Sequence, residues 1–244
     1  MSAIPCRLCG GQSTYEFDGP ILRKYTVKYY RCAQCESLET EPPYWIEEAY
    51  ADKSNLLDVG RVQRTQLVAM LVAHILGKLG LQEKGPCLDW GGAEGLLCRM
   101  LRDRGFPFLT FDRYADATFT PAYKIDEPAS IAPIALTSIE VLEHLPEPLE
   151  ELSEMFRNQP RVLLFTTELN NGEGAGWNYL APINGRHVFF YTERAMHWIA
   201  ARFGYRYFRF PLLHVFARDT EPMDELTQRR DSLFADAAQS LAAH

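Results

Sequence analysis

At 244 residues, the chain has room for one large α/β domain and a small appendage, and its 47% hydrophobic share calls for a sizeable core. A formal charge of −7 leaves no overall electrostatic footprint for nucleic acid or an anionic membrane surface. The opening MSAIPCRLCG lacks the pattern of a secretory signal, and the longest apolar run, Leu67 to Leu81, is too short to span a bilayer. A cytoplasmic protein is expected.

Four of the six cysteines fall into two pairs, Cys6-x-x-Cys9 and Cys32-x-x-Cys35, separated by 22 residues. Two such knuckles can close four thiolates on a structural zinc ion; disulfides or free thiols at this spacing are the weaker alternatives. The β-prone runs Tyr15 to Phe17 and Tyr25 to Tyr30 between them suit a small ribbon. Cys87 and Cys98 sit on apolar faces and read as core residues. Residues 1–40 are therefore expected to form a zinc-binding ribbon and 41–80 a helical linker. The linker carries the aromatic residues Tyr44, Trp45 and Tyr50 and a helix from Arg61 to Leu79.

Pro86 to Leu101, PCLDWGGAEGLLCRML, reads as a buried strand, an acidic residue (Asp89), a small-residue turn and an amphipathic helix. Such a unit brings backbone amides close to a ligand; it could also cradle a dinucleotide or simply join strand to helix. The pattern of Asp89, Gly91, Ala93 and Gly95 resembles the first motif of class I S-adenosylmethionine-dependent methyltransferases, with Ala93 in place of the middle glycine. The resemblance implies an α/β, doubly wound, Rossmann-like sheet of seven strands over residues 81–220, with helices on both faces. It also makes S-adenosylmethionine the expected cofactor.

Strand and helix alternate from there. Phe108 to Phe111 is a strand ending in Asp112, 23 residues after Asp89, where a carboxylate can accept hydrogen bonds from ribose hydroxyls or simply face solvent. Ala122 to Ile125 is read as a third strand, with Asp126 either an adenine contact or part of a turn. Ile134 to Ile139 runs into EVLEHLPEP, similar to the Glu-x-x-Glu-His run of small-molecule members of this class. Glu140 is thereby implied near the cofactor's methionine end, and His144 is read as holding the loop. A helix from Glu147 to Arg157 and a strand from Arg161 to Thr167 follow.

The long connection ELNNGEGAGWNYLAPINGRHVFFYT is expected to be functional. Trp177, Tyr179, Asn184, Arg186 and Tyr191 suit a polar, ring-shaped acceptor, and the segment resembles that of bacterial sugar- and polysaccharide-modifying methyltransferases. His187 is then implied as the base that deprotonates the acceptor, with Glu140 second; a loop-tying hydrogen bond is the other reading of His187. A helix from Glu193 to Phe203 and two strands around Pro211 complete the sheet, and residues 221–244 read as a helical tail compatible with homodimer formation. The expected partner is a small, sugar-like substrate. A zinc-containing RNA methyltransferase and a non-catalytic binding protein with the same fold are the rival readings.

Overall fold

Four parallel strands, running out to one edge, make up most of the larger of two sheets. In a computed structural model, which describes residues 3–51 and 60–228, β1 (Ile4–Pro5), β2 (Gln12–Ile21), β3 (Tyr25–Cys32), β4 (Leu38–Thr40) and helix α1 (Ile46–Ala51) come first. Helix α2 (Arg61–Lys78), β5 (Cys87–Trp90), α3 (Leu96–Arg102), β6 (Phe108–Phe111), β7 (Ala135–Ile139), α4 (Pro148–Phe156) and β8 (Val162–Thr166) follow. The chain continues through β9 (Phe189–Phe190), α5 (Glu193–Phe203), β10 (Arg206–Arg209), β11 (His214–Ala217) and α6 (Met223–Gln228).

The chain divides into two compact units. One has described residues 3–51, 140–153 and 167–202; the other has 60–139, 154–166 and 203–228. These lines differ from the boundaries at residues 40, 80 and 220 drawn from the sequence, because segments after β7 and β8 join the cysteine-rich N-terminus.

The second unit holds a sheet of order β10-β11-β8-β7-β5-β6, in which β8, β7, β5 and β6 run parallel and the β10–β11 hairpin is antiparallel. All four residues of β5 and all five of β8 are buried, as strands covered on both faces must be. Val162, Leu164, Val215 and Ala217 face a core shared with Val68, Val72, Ile75 and Leu76 of α2 and Leu97 and Leu101 of α3. The alternate residues Phe165 and Phe216 meet edge to face at 5.3 Å, and Phe156 packs against Phe216 and stacks on Phe203. The sheet is therefore covered on both sides, as a doubly wound architecture requires.

Helix α2 forms because its apolar residues recur three and four apart, and it stops at Gly80, whose φ of +62° is left-handed. The Leu81 amide then bonds back to the Leu76 carbonyl at 2.9 Å, the closing bond of a Schellman cap. The strand expected at Ala122 to Ile125 is reduced to one parallel bridge, Thr110 to Lys124, so among the described residues six strands and that bridge stand where seven were expected. Prolines explain this: Pro121 and Pro128 each open a 3-10 turn and have no N–H for a ladder.

The first unit is built on an antiparallel sheet of order β1-β2-β3-β4-β9. Its last strand comes from the long connection after β8, since Leu38 and Glu39 pair with Phe190 and Phe189. Trp45 of the expected linker is buried and donates its indole N–H to the Gly185 carbonyl at 2.8 Å. The tail is described only through Gln228, and the rest of it lies outside the described residues. No described helix is long and apolar enough to cross a membrane.

Leu76 is fully buried in the larger core. Leu76→Ala is expected to cost about 2–5 kcal/mol through lost burial and the cavity left behind, read as a lower urea midpoint.

Candidate active site

The turn after β5 has an unusual backbone. Gly91, Ala93 and Gly95 adopt φ of +70°, +47° and +81°, so the expected middle glycine would have been the easier residue at Ala93. Gly91 and Gly92 amides both donate to the Phe111 carbonyl, at 2.8 and 3.1 Å, while the Ala93 amide donates to Asp112 Oδ2 at 2.9 Å. Gly92, which sequence reasoning left out of the site, has no room for a side chain. A Cβ there would lie 2.3 Å from Thr110 Oγ1 and 2.5 Å from Asp89 Oδ2. A pair of adjacent glycines was the available signal.

Asp89 lies beneath this turn. Thr137 donates to its Oδ1 at 2.8 Å, while Oδ2 is buried without a hydrogen bond. Burial pushes its carboxyl up to about 7. Asp89 thus supports the turn from the core side, which is why it is 1% exposed.

Asp112 uses its second oxygen to accept the Tyr114 and Ala115 amides at 2.8 and 2.9 Å. It also lines a cleft of about 490 Å³ with Trp90, Phe111, Lys124 and Asp126. The structure therefore brings Asp112 and Asp126 to one cleft, beside two aromatic rings. A flat base on the aromatic rings, with ribose hydroxyls near the carboxylates, suits such walls. These residues could hold an adenosyl group.

The acceptor-loop residues separate into two sets. Trp177 and Tyr179 line an open cleft of about 600 Å³ with Glu168 and Glu173, and Trp177 donates its indole N–H to Glu168 at 3.1 Å. Tyr191, by contrast, is fully buried and donates its hydroxyl to the Leu142 carbonyl at 3.2 Å, so it is a core residue and cannot grip an acceptor. Asn184 Oδ1 caps the Arg186 amide at 3.0 Å, and Arg186 donates to the Ala49 carbonyl at 3.0 Å and covers the Tyr50 ring. Both are committed to holding the loop. Glu140 is exposed and adopts a left-handed φ of +55°.

His187 and His144 meet edge to face, with ring centroids 4.9 Å apart. His187 Nδ1 lies 2.6 Å from the Tyr179 carbonyl and His144 Nδ1 3.2 Å from that of Arg186. A carbonyl only accepts, so each Nδ1 carries the proton and each Nε2 keeps a lone pair. Burial lowers both rings' basicity, His144 to about 3, so both are neutral near pH 7. Beside them is Glu143, which sequence reasoning missed although it adjoins His144. It is fully buried, neither oxygen has a hydrogen-bond partner, and burial with the charge of Glu140 pushes its carboxyl up to about 8. Tyr179 and Thr167, whose hydroxyls are 3.2 Å apart, lie near enough to offset part of that rise.

The four N-terminal cysteines converge without disulfides. Cys6 and Cys35 sulfurs are 3.7 Å apart and Cys9 and Cys32 sulfurs 3.4 Å, close to the ~3.8 Å edge of a tetrahedron with Zn–S bonds of about 2.3 Å. Gly11, Gln34 and Cys35 amides point at the sulfurs of Cys9 and Cys32. The donor set fits zinc. Arg7, inside the first knuckle, donates to Glu39 at 2.9 Å and to the carbonyls of Pro146, Thr40 and Val188 at 2.9, 3.0 and 2.8 Å.

Against known families, residues 61–208 match a model described as a methyltransferase domain, well over half of the 244 residues. The chain belongs to the methyltransferase domain family. Among curated protein sequences none is detectably similar. Two solved methyltransferases share the fold. One is the 1,6-didemethyltoxoflavin-N1-methyltransferase of Burkholderia thailandensis, at TM-score 0.54 and 12% identity over 83% of this chain and 99% of that one. The other is the magnesium protoporphyrin IX methyltransferase of Synechocystis PCC 6803, solved with bound SAH, at 0.52 and 15% over 73% and 98%. The chain spans only 53% of the mitomycin 7-O-methyltransferase that it also resembles.

Two outcomes follow from the geometry of this methyltransferase domain protein. Arg7→Ala leaves Glu39, whose side chain is 0% exposed, with the Ser13 hydroxyl and a backbone amide but without its charge partner, and is expected to cost about 3–5 kcal/mol, measured by thermal or urea unfolding. Asp89 binds its proton more tightly in the fold than its ordinary value of 3.8 allows, so its stabilising contribution is complete at low pH and is lost as pH rises through about 7. Asp89→Asn should flatten the fall in stability between about pH 4 and 7 in an unfolding series.

Proposed function

We propose that the protein transfers the methyl group of S-adenosylmethionine to a small polar acceptor, with a sugar or saccharide hydroxyl the best-suited class. The cleft that Asp112 and Asp126 share, with Asp112 also bonded to the Ala93 amide of the glycine-rich turn, carries this reading, in a chain that belongs to the methyltransferase domain family. In this reading Gly91, Gly92, Ala93 and Gly95 present backbone to the cofactor, Asp112 and Asp126 receive its adenosyl end, and Asp89 holds the turn from below. The bound cofactor supplies an activated methyl on a sulfonium. The protein's remaining task is to place and deprotonate the acceptor.

The cleft of Trp177, Tyr179, Glu168 and Glu173 supports the sugar reading, since aromatic faces take the C–H side of a pyranose and carboxylates take its hydroxyls. Tyr179 links this cleft to His187, its ring 4.6 Å from the imidazole. His187 is the base of this reading, its Nδ1–H held by the Tyr179 carbonyl and its Nε2 lone pair left for the acceptor proton. Glu140 is second choice. The four cysteines would hold a structural zinc.

Calorimetric titration of S-adenosylhomocysteine into zinc-replete protein is expected to give micromolar affinity, weakened at least about tenfold in Asp112→Ala. No binding by folded wild type would end the methyltransferase reading. With labelled S-adenosylmethionine and a panel of nucleotide sugars and saccharides, His187→Gln should lose about 100-fold or more in kcat. Because burial depresses the His187 pKa, the wild-type rate should climb with pH on a limb below about 6.5 and then level off; the limb should vanish in the variant.

A further inference from the structure

We propose that Glu143, His144 and His187 form a second metal site, separate from the four cysteines, which takes a divalent first-row cation on one carboxylate oxygen and two imidazole Nε2 atoms.

Three observations converge. The ligand atoms of the three side chains all lie within 4.8 Å of one another, with Glu143 Oε1 and His144 Nε2 at 3.9 Å. A cation bound at about 2.1 Å would draw such atoms to about 3.0–3.4 Å, a contraction that side-chain torsions can supply. The second observation is the orientation of the rings. Both histidines give their Nδ1–H to backbone carbonyls, which leaves the lone pair on each Nε2 as the atom for an ion. A carbonyl behind each ring is the arrangement that fixes tautomer and raises ligand basicity in metal sites.

Third is the isolation of Glu143. Its side chain is 0% exposed, neither oxygen has a hydrogen bond, and the imidazole beside it, His144 Nε2 at 3.9 Å, is neutral. In such a place the group stays a neutral acid until a cation joins it, and metal binding would release its proton to water. Two imidazoles and one carboxylate occupy one side of an ion and leave other positions open, and mixed nitrogen and oxygen donors favour Mn²⁺, Fe²⁺, Co²⁺ or Zn²⁺ over Mg²⁺ or Ca²⁺.

If the proposed acceptor chemistry holds, the open positions would take acceptor hydroxyls beside Tyr179 and Thr167. A coordinated hydroxyl would then lose its proton to water as its oxygen bonds the cation, and His187 would serve as ligand. Direct proton uptake by His187 would belong to the metal-free form. The site itself needs no cofactor.

The test uses full-length protein with zinc retained at the cysteines, dialysed against a mild chelator and titrated with Co²⁺ alone. Zinc content by mass spectrometry and circular dichroism report that each protein is folded. One equivalent of cobalt is expected, with visible d–d bands and no thiolate-to-cobalt charge transfer in the near ultraviolet. Its affinity should fall at least tenfold in Glu143→Gln and in His187→Gln. Glu143→Gln keeps the shape of the buried side chain, so it tests the charge even where the histidine variant unfolds. No cobalt uptake by folded wild type would overturn the proposal. So would uptake with the thiolate signature, or affinity unchanged in both variants. The assay contains no methyl donor, so its failure and that of the methyltransferase reading are distinguishable.

Discussion

The guanidinium of Arg7 is the interaction on which the N-terminal unit depends. It sits between Cys6 and Leu8 in the first knuckle and bonds buried Glu39 together with carbonyls at Thr40, Pro146 and Val188. Pro146 lies two residues after His144, and Val188 directly follows His187. One side chain therefore ties the cysteine cluster to both histidine-bearing segments, over sequence separations of 139 and 181 residues. A charge-assisted network of this kind is worth more than an exposed pair because its partners are removed from water. Thr192 adds a parallel tie, donating its hydroxyl to the Cys35 carbonyl at 2.7 Å.

This organisation gives the ribbon a role that a detached zinc module would not have. Its sheet is completed by Phe189 and Phe190, so the same register that pairs β9 with β4 sets where His187 emerges. Trp45 and the Arg186–Ala49 bond brace the connection from the other end. The long connection is consequently much more ordered than its glycine content suggests. A zinc ion at the cysteines would act on the histidine-bearing segments through strand pairing and Arg7, as a positioning element.

The other unit follows a different logic. Its turn after β5 is held by backbone bonds to Phe111 and by Asp112, and it tolerates Ala93 in a left-handed conformation that glycine would occupy more easily. The residual strain and the buried, unpaired Oδ2 of Asp89 are concentrated in one place. Features of that kind cluster where a ligand is received, because a fold optimised for stability alone would remove them.

The sequence by itself determined the strand–turn–helix unit at Asp89, the alternating elements after it and the two cysteine pairs, because these depend on local periodicity, turn chemistry and short spacing. It placed Asp112 at a strand end and His187 in the long connection for the same reason, whereas the strand it expected before Asp126 is a single bridge. Only the tertiary structure decided that Tyr191 is core and that Arg186 and Asn184 serve the loop, since burial and partners come from residues distant in sequence. Glu143 was invisible for that reason too: nothing in Glu-His distinguishes an exposed acid from a fully buried one. The pairing of β4 with β9, and with it the union of knuckles and histidines, is a contact between residues about 150 apart. No local pattern encodes such a pairing; it is selected when the hydrophobic faces of the whole chain are buried together.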